Sequence, residues 1–174
     1  LVQGIGHVGE TLVDYLTGEG AKVTISDINE ARLQEISSKY GAKIFQGDDL
    51  YAADVDIYAP CALGATVNDD TIGKLKAQVI AGAANNQLAN ETRHGQMLKD
   101  RGILYAPDFV VNAGGLINVS VEISKEGYNP KAAKKKIDLI QKTLEEIFKI
   151  AREKNITTQQ AVSTMIEYRL KNKI

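Results

Sequence analysis

The sequence predicts an α/β protein with a doubly wound, mostly parallel sheet and a set of C-terminal helices. Three observations carry that expectation. Short apolar runs alternate with helical patterns from the start of the chain to about residue 120, the signature of strands crossing over through helices in one sheet. A glycine turn, Gly4-Ile5-Gly6-His7-Val8-Gly9, joins the first apolar run to the first helical pattern. The second apolar run ends on an acid, Asp27.

The elements follow in order. Leu1–Gln3 is the stub of a strand. Val8 to Glu19 reads as a helix with Val8, Leu12, Val13 and Leu16 on one face, the spacing of an amphipathic stripe. Lys22 to Ser26 is a strand. Asn29 can cap a second helix running to Lys39, which Gly41 ends: a short polar side chain satisfies the first N–H groups, and glycine accepts the left-handed turn at the other end. Strands are expected at Lys43–Phe45, Val55–Ala59, Ala77–Ala81 and Ile103–Tyr105, with helices at Asn68–Leu75 and Glu91–Arg101. After Gly127 the pattern becomes helical only, which places a domain of residues 1–127 before a helical segment, 128–174. There, Asn129-Pro130 is a helix start. Ile137, Ile140, Leu144, Ile147 and Ala151 form one stripe, and Thr157 with Gln160 fits a capping box for a last helix through Arg169.

The glycine turn carries chemistry. Gly4 permits the tight turn out of the strand, Gly6 lets backbone approach a pyrophosphate, and Gly9 lets helix and sheet pack closely. The N–H groups and dipole at the start of the following helix attract phosphates. Asp27 lies close to the ~20 residues beyond the turn expected of an acid that binds the adenosine ribose. Its charge would repel a 2′-phosphate, and Arg32 is the nearest arginine, so NAD is favoured over NADP. This is a Rossmann-type arrangement. The bland reading, a glycine turn with Asp27 as a loop residue, leaves the spacing unexplained. A first strand of three residues is shorter than the usual five or six, which leads us to expect a truncated strand and further chain ahead of Leu1.

Ligands in such sheets bind beyond the carboxyl ends of the strands. Three of these ends are rich in small and polar residues: Ala59-Pro60-Cys61-Ala62-Leu63-Gly64, Ala81-Gly82-Ala83-Ala84-Asn85-Asn86-Gln87-Leu88, and Ala106-Pro107-Asp108 through Asn112-Ala113-Gly114-Gly115. With Asp27-Ile28-Asn29 and Gln87-Leu88 followed by Arg93-His94-Gly95, these segments resemble the cofactor domain of the Glu/Leu/Phe/Val dehydrogenase family, most of all its leucine-oxidising branch. The resemblance covers essentially the whole chain. It implies oxidative deamination of branched-chain L-amino acids to 2-oxo acids and ammonia, with NAD as hydride acceptor. It also implies a homo-oligomer, and a catalytic Lys and Asp in an N-terminal domain outside this chain, so no catalytic residue is expected here and the fragment alone should be inactive.

Carried onto this sequence, the resemblance assigns the pyrophosphate to Gly4, Gly6 and Gly9, with His7 and Val8 in the same turn, and the adenosine ribose to Asp27 beside Ile28. Cys61, Ala62 and Leu63 line the adenosine and ribose path. Ala83, Asn85 and Asn112 lie along the nicotinamide ribose and carboxamide, and Leu116 and Val119 form part of the substrate side-chain wall. His7 stands where the family often has Asn and is read as solvent-facing and non-catalytic. Plainer roles stay open: Asn112 as a cap for the following helix, Asn85 and Asn86 as turn residues, Cys61 as a small buried side chain, His94 as a surface helix residue.

Composition sets the outer bounds. Of 174 residues, 21 are basic and 22 acidic, giving a net charge of −1, with no basic surface suited to nucleic acid. The cluster Lys131–Lys136 has the spacing of a solvated helix face. Cys61 is the only cysteine, which excludes an internal disulfide and points to a reducing, cytoplasmic setting. No apolar run reaches the roughly 18 residues of a membrane span, and no His, Cys and carboxylate spacing marks a metal site. Two competing functions remain: a phenylalanine-oxidising member of the same family, and a non-catalytic NAD-sensing domain, which would not need the Asn and Gly-Gly motifs on the nicotinamide side.

Overall fold

A computed structural model of the chain describes residues 1–124 and 127–172. It divides into two compact units, Leu1–Tyr105 and Ala106–Ile174. The division falls before Ala106, whereas the change to a purely helical pattern placed a boundary after Gly127. The helical elements that follow the sixth strand already gather a core of their own.

In the first unit the elements are β1 (Val2–Gln3), α1 (His7–Gly18), β2 (Thr24–Ser26), α2 (Glu30–Tyr40), β3 (Lys43–Ile44), a single 3-10 turn at Leu50–Ala52, β4 (Ile57–Pro60), α3 (Asp69–Ile72), β5 (Val79–Ile80), α4 (Glu91–Asp100) and β6 (Leu104–Tyr105). The strands form one sheet in the order β3-β2-β1-β4-β5-β6, and every pairing is parallel. The order reverses between β1 and β4. That makes a crevice at their carboxyl ends, where open α/β sheets bind ligands.

Successive strand residues point to opposite faces, and the core is split accordingly. Leu1 and Tyr58 join Ile72, Ile80 and Leu98 in a cluster on one face. Their neighbours Val2 and Ala59 join Val13, Ile25, Leu33 and Ile36 on the other. Thus α1 and α2 cover one face, and α3 and α4 the other. The strands are short, yet pairing continues beyond their ends: Lys43 N–H donates to Val23 O at 2.8 Å, just ahead of β2. The caps form as expected, with Asn29 Oδ1 accepting from Arg32 N–H and Gly41 taking φ 70°.

One residue leaves its predicted face. Val8 is 60% exposed, while Val13 is fully buried. Val8 lies in the first turn of α1, beside exposed Gly6 and His7.

The second unit contains α5 (Asp108–Val111), α6 (Gly114–Glu122), α7 (Pro130–Ile137), α8 (Leu139–Lys154) and α9 (Thr158–Asn172). Asn129 caps α7 by accepting from Lys131 and Ala132 N–H. Lys131, Lys134, Lys135 and Lys136 are exposed, as their spacing required. The apolar stripe is not one continuous helix face. The helix is interrupted at Asp138; Ile147 and Ala151 are buried but Ile137 is 39% exposed. Asn155, in the left-handed region at φ 52°, turns the chain. Thr157 and Gln160 then cap α9 reciprocally at 3.0 and 3.2 Å. Ile147 and Ala151 of α8 meet Ala161, Val162 and Met165 of α9, and Arg169 reaches back to Glu146 at 2.7 Å.

Because Ile25 is fully buried in the middle of β2, Ile25→Ala is expected to lower unfolding free energy by about 2–5 kcal/mol, measured by urea denaturation.

Candidate functional site

The turn after β1 is built from close contacts. Gly4 has φ +91°, and a Cβ there would fall 2.6 Å from the Ala62 Cβ. A Cβ on Gly9 would fall 2.0 Å from the Gly4 carbonyl oxygen, which no shift of a flexible side chain could relieve. These two glycines are demanded by the protein itself. Gly6 is different: a Cβ there would meet nothing within 4 Å, and its φ is an ordinary −64°. The space beside Gly6 is open. Gly6 is also the N-cap of α1 and supplies no side-chain acceptor. A helix start leaves its first N–H groups without intrahelical partners, so this one presents donors and a positive dipole end to that open space, as an anion requires.

Asp27 closes the turn from the next strand. Its Oδ2 accepts from Ile5 N–H at 2.8 Å and its Oδ1 from Asn29 N–H at 3.0 Å. An ionised carboxylate accepts about four hydrogen bonds. Two come from backbone here, so each oxygen retains capacity for a hydroxyl donor. Ile28, the next residue, is fully exposed. Leu63 after β4 and Val8 at the start of α1 are likewise exposed. Three large apolar side chains therefore stand in water at the ends of the adjacent strands β2, β1 and β4. That is the usual lining of a site for a partly apolar ligand.

The loops after β4 and β5 are knitted together. Cys61 N–H donates to Gln3 O at 2.8 Å, and Ala84 N–H to Pro60 O at 2.9 Å. A Cβ on Gly82 would strike Pro60 O. Buried Gln87 donates through Nε2 to Gly82 O at 2.7 Å and to Ala84 O at 3.0 Å, which shapes the loop holding half-buried Ala83 and exposed Asn85. Asn86 takes the left-handed turn position at φ 51°. Cys61 packs beneath the turn, its Cβ 3.6 Å from where a Gly9 Cβ would be. Burial pushes its thiol above the ordinary range, the reverse of what activates a nucleophile. Burial likewise raises the Tyr58 hydroxyl, which donates to Gln3 Oε1.

The structure thus brings Gly4, Gly6, His7, Val8, Gly9, Asp27, Ile28, Cys61, Ala62, Leu63, Ala83 and Asn85 to the carboxyl ends of four neighbouring strands, with His7 exposed as expected. Asn112, Leu116 and Val119 belong to the second unit. Asn112 is the C-cap residue of α5, and the N-cap position of α6 is Ala113. Leu116 and Val119 are exposed on α6.

His94 corrects the sequence reading. It is 2% exposed, with Nδ1 accepting from Asn90 N–H at 2.9 Å, so it braces the start of α4 instead of facing solvent. A polar helix turn carries no apolar stripe to reveal that burial.

A second group went unrecognised: Glu10, whose carboxylate takes donors from Arg32, Lys39 at 2.9 Å and Tyr40 at 3.2 Å. The hydrogen bond from Lys39, followed by those from Tyr40 and Arg32, holds the Glu10 carboxyl below the usual range against the opposing effect of burial. The sequence signal was available: Arg32 and Lys39 lie two helical turns apart on one face of α2.

A family described as Glutamate/Leucine/Phenylalanine/Valine dehydrogenase matches residues 26–173. Leucine dehydrogenase of Bacillus subtilis is 48% identical over 169 residues, covering 97% of this chain and 46% of that protein. L-tryptophan dehydrogenase of Nostoc punctiforme is 47% identical over 171 residues, covering 98% of this chain and 48% of that protein. A crystal structure of L-tryptophan dehydrogenase from Nostoc punctiforme superposes with a TM-score of 0.94 at 46% identity, over 98% of this chain and 50% of that one. The chain therefore spans about half the length of the relatives it matches.

The two kinds of glycine separate experimentally. Gly9→Ala is expected to cost about 1–3 kcal/mol or more through overpacking. Gly6→Ala should stay within about 0.5 kcal/mol. Urea denaturation of both variants checks this.

Proposed function

The chain belongs to the Glutamate/Leucine/Phenylalanine/Valine dehydrogenase family, and from that premise we propose that it is the cofactor-binding part of an NAD-dependent L-amino-acid dehydrogenase that deaminates leucine and other branched-chain substrates to 2-oxo acids and ammonia. The observation that carries the cofactor assignment is the pairing of an open, uncapped helix start at Gly6 with the Asp27 carboxylate hydrogen-bonded across the same turn.

The residues present fit the cofactor. Gly4, Gly6 and Gly9, with His7 and Val8, would hold the pyrophosphate against the N–H groups of α1. Asp27 would take the adenosine ribose hydroxyls with the acceptor capacity its backbone contacts leave free, and its charge disfavours a 2′-phosphate. Ile28, Cys61, Ala62 and Leu63 would line the adenosine path. Ala83 and Asn85 would lie along the nicotinamide ribose, shaped by the Gln87 brace. For Asn112, and for Leu116 and Val119 as part of the substrate wall, the family resemblance carries the assignment. When bound, the nicotinamide supplies the hydride acceptor. The protein's part is binding, orientation and exclusion of water. The catalytic Lys and Asp, and the contacts that make a homo-oligomer, are assigned to an N-terminal domain outside this chain. The leucine assignment rests on the bacterial leucine dehydrogenases; the tryptophan dehydrogenase is nearly as similar, so aromatic amino acids are the competing substrates.

The intact enzyme carrying this domain, given NAD with L-leucine, L-valine, L-isoleucine, L-phenylalanine or L-tryptophan, should form NADH fastest with the aliphatic substrates. A preference for either aromatic moves the substrate assignment, and cofactor binding without turnover of any of them overturns the enzyme reading in favour of a sensor. Asp27→Ser should weaken NADH binding and narrow its advantage over NADPH. An unchanged preference in a calorimetric titration would remove Asp27 from the ribose site.

A further inference from the structure

The Glu10 cluster sits against the same residue as Asp27. Asp27 holds the Ile5 N–H, and Arg32 Nε donates to the Ile5 carbonyl oxygen at 3.3 Å. The peptide groups on either side of Ile5 are therefore gripped by a carboxylate and a guanidinium from the same β2–α2 corner. An arginine placed beside the ribose-binding acid is the group that accommodates the 2′-phosphate in NADP-binding relatives of this fold. Its planar fork suits phosphate oxygens.

Here that arginine is already engaged. One terminal nitrogen contacts Glu10 and the other contacts Glu35 at 2.7 Å. Glu10 also holds Lys39, so two cations and two carboxylates compensate one another. The Arg32 and Glu10 side chains are only 26% and 18% exposed, so their attraction is less screened than that of a surface pair. Glu10 lies in the first turn of α1, one residue past Gly9, where a carboxylate is additionally favoured by the helix dipole.

We infer that Glu10 is a cofactor-selectivity residue: by holding Arg32, which grips the same Ile5 that Asp27 holds, it withholds that guanidinium from a 2′-phosphate. Selectivity for NAD then has two parts. Asp27 repels the phosphate, and Glu10 denies it a counter-charge. This rests on the dinucleotide reading of the site above. It explains how an arginine can stand in the first turn of α2, at the corner Asp27 closes, without favouring NADP.

The test titrates NADH and NADPH separately, by calorimetry, into the wild-type chain and into Glu10→Gln, Asp27→Ser, the double variant Asp27→Ser/Glu10→Gln, and that double variant with Arg32→Gln. A charge-assisted phosphate contact is worth about 1.5–3 kcal/mol, or a tenfold gain or more. We expect Glu10→Gln to raise NADPH affinity by about that factor in the Asp27→Ser background, with NADH affinity little changed, and Arg32→Gln to erase most of the gain. Circular dichroism melts check folding. If Glu10→Gln does not fold, Glu35→Gln, on the exposed side of Arg32, should move NADPH affinity the same way. Equal NADPH affinity in Asp27→Ser and the double variant, or a gain that survives Arg32→Gln, overturns the inference while leaving NAD binding intact. Failure of the wild-type chain to bind either dinucleotide instead removes the reading on which it rests.

Discussion

Helix α1 can begin at the end of β1 only because Gly9 carries no Cβ. Any side chain there would lie 2.0 Å from the Gly4 carbonyl oxygen, and the helix would have to lift off the sheet. Much else depends on that contact. It brings the uncapped start of α1 to the point where strand order reverses, beside Gly4, which for its own want of a Cβ can approach Ala62 of the loop after β4. It also aligns Ile5 so that Asp27 can accept its N–H from the neighbouring strand. A packing constraint between two glycines thereby becomes an electrostatic arrangement, with helix-end donors on one side and a carboxylate on the other.

The sheet makes the arrangement rigid. Its strands pair for only two to four residues each, so little stability comes from the ladders alone. Rigidity comes from the two apolar clusters that the strand alternation separates, one under α1 and α2, the other under α3 and α4. Both faces are buried, as a parallel sheet requires. At the carboxyl ends the backbone turns pack closely, while the side chains of Val8, Ile28 and Leu63 stay exposed.

Legibility in the sequence followed the distance over which each interaction acts. The caps at Asn29, Asn129 and Thr157 join residues two or three apart and were readable directly. The glycine turn was readable because backbone conformation or close approach excludes other residues at Gly4 and Gly9. His94 was not, since its burial depends on how α4 meets α3, and a polar turn such as Glu91-Thr92-Arg93 carries no period to signal it. The Glu10–Arg32 pair joins residues 22 apart that become neighbours only after α1 and α2 lie side by side on the same face.

The sequence by itself determined the class of fold, the glycine turn, the acid that closes it and the family, because each is a local pattern of residue types at set spacing. Only the tertiary structure decided that Gly6 faces open space while Gly4 and Gly9 do not, and that Val8 stands exposed. It alone placed Arg32 against Ile5 under the hold of two carboxylates. Those outcomes depend on which distant segments come to rest against each residue, and the sum of packing over the whole sheet sets that, beyond what any window of sequence contains.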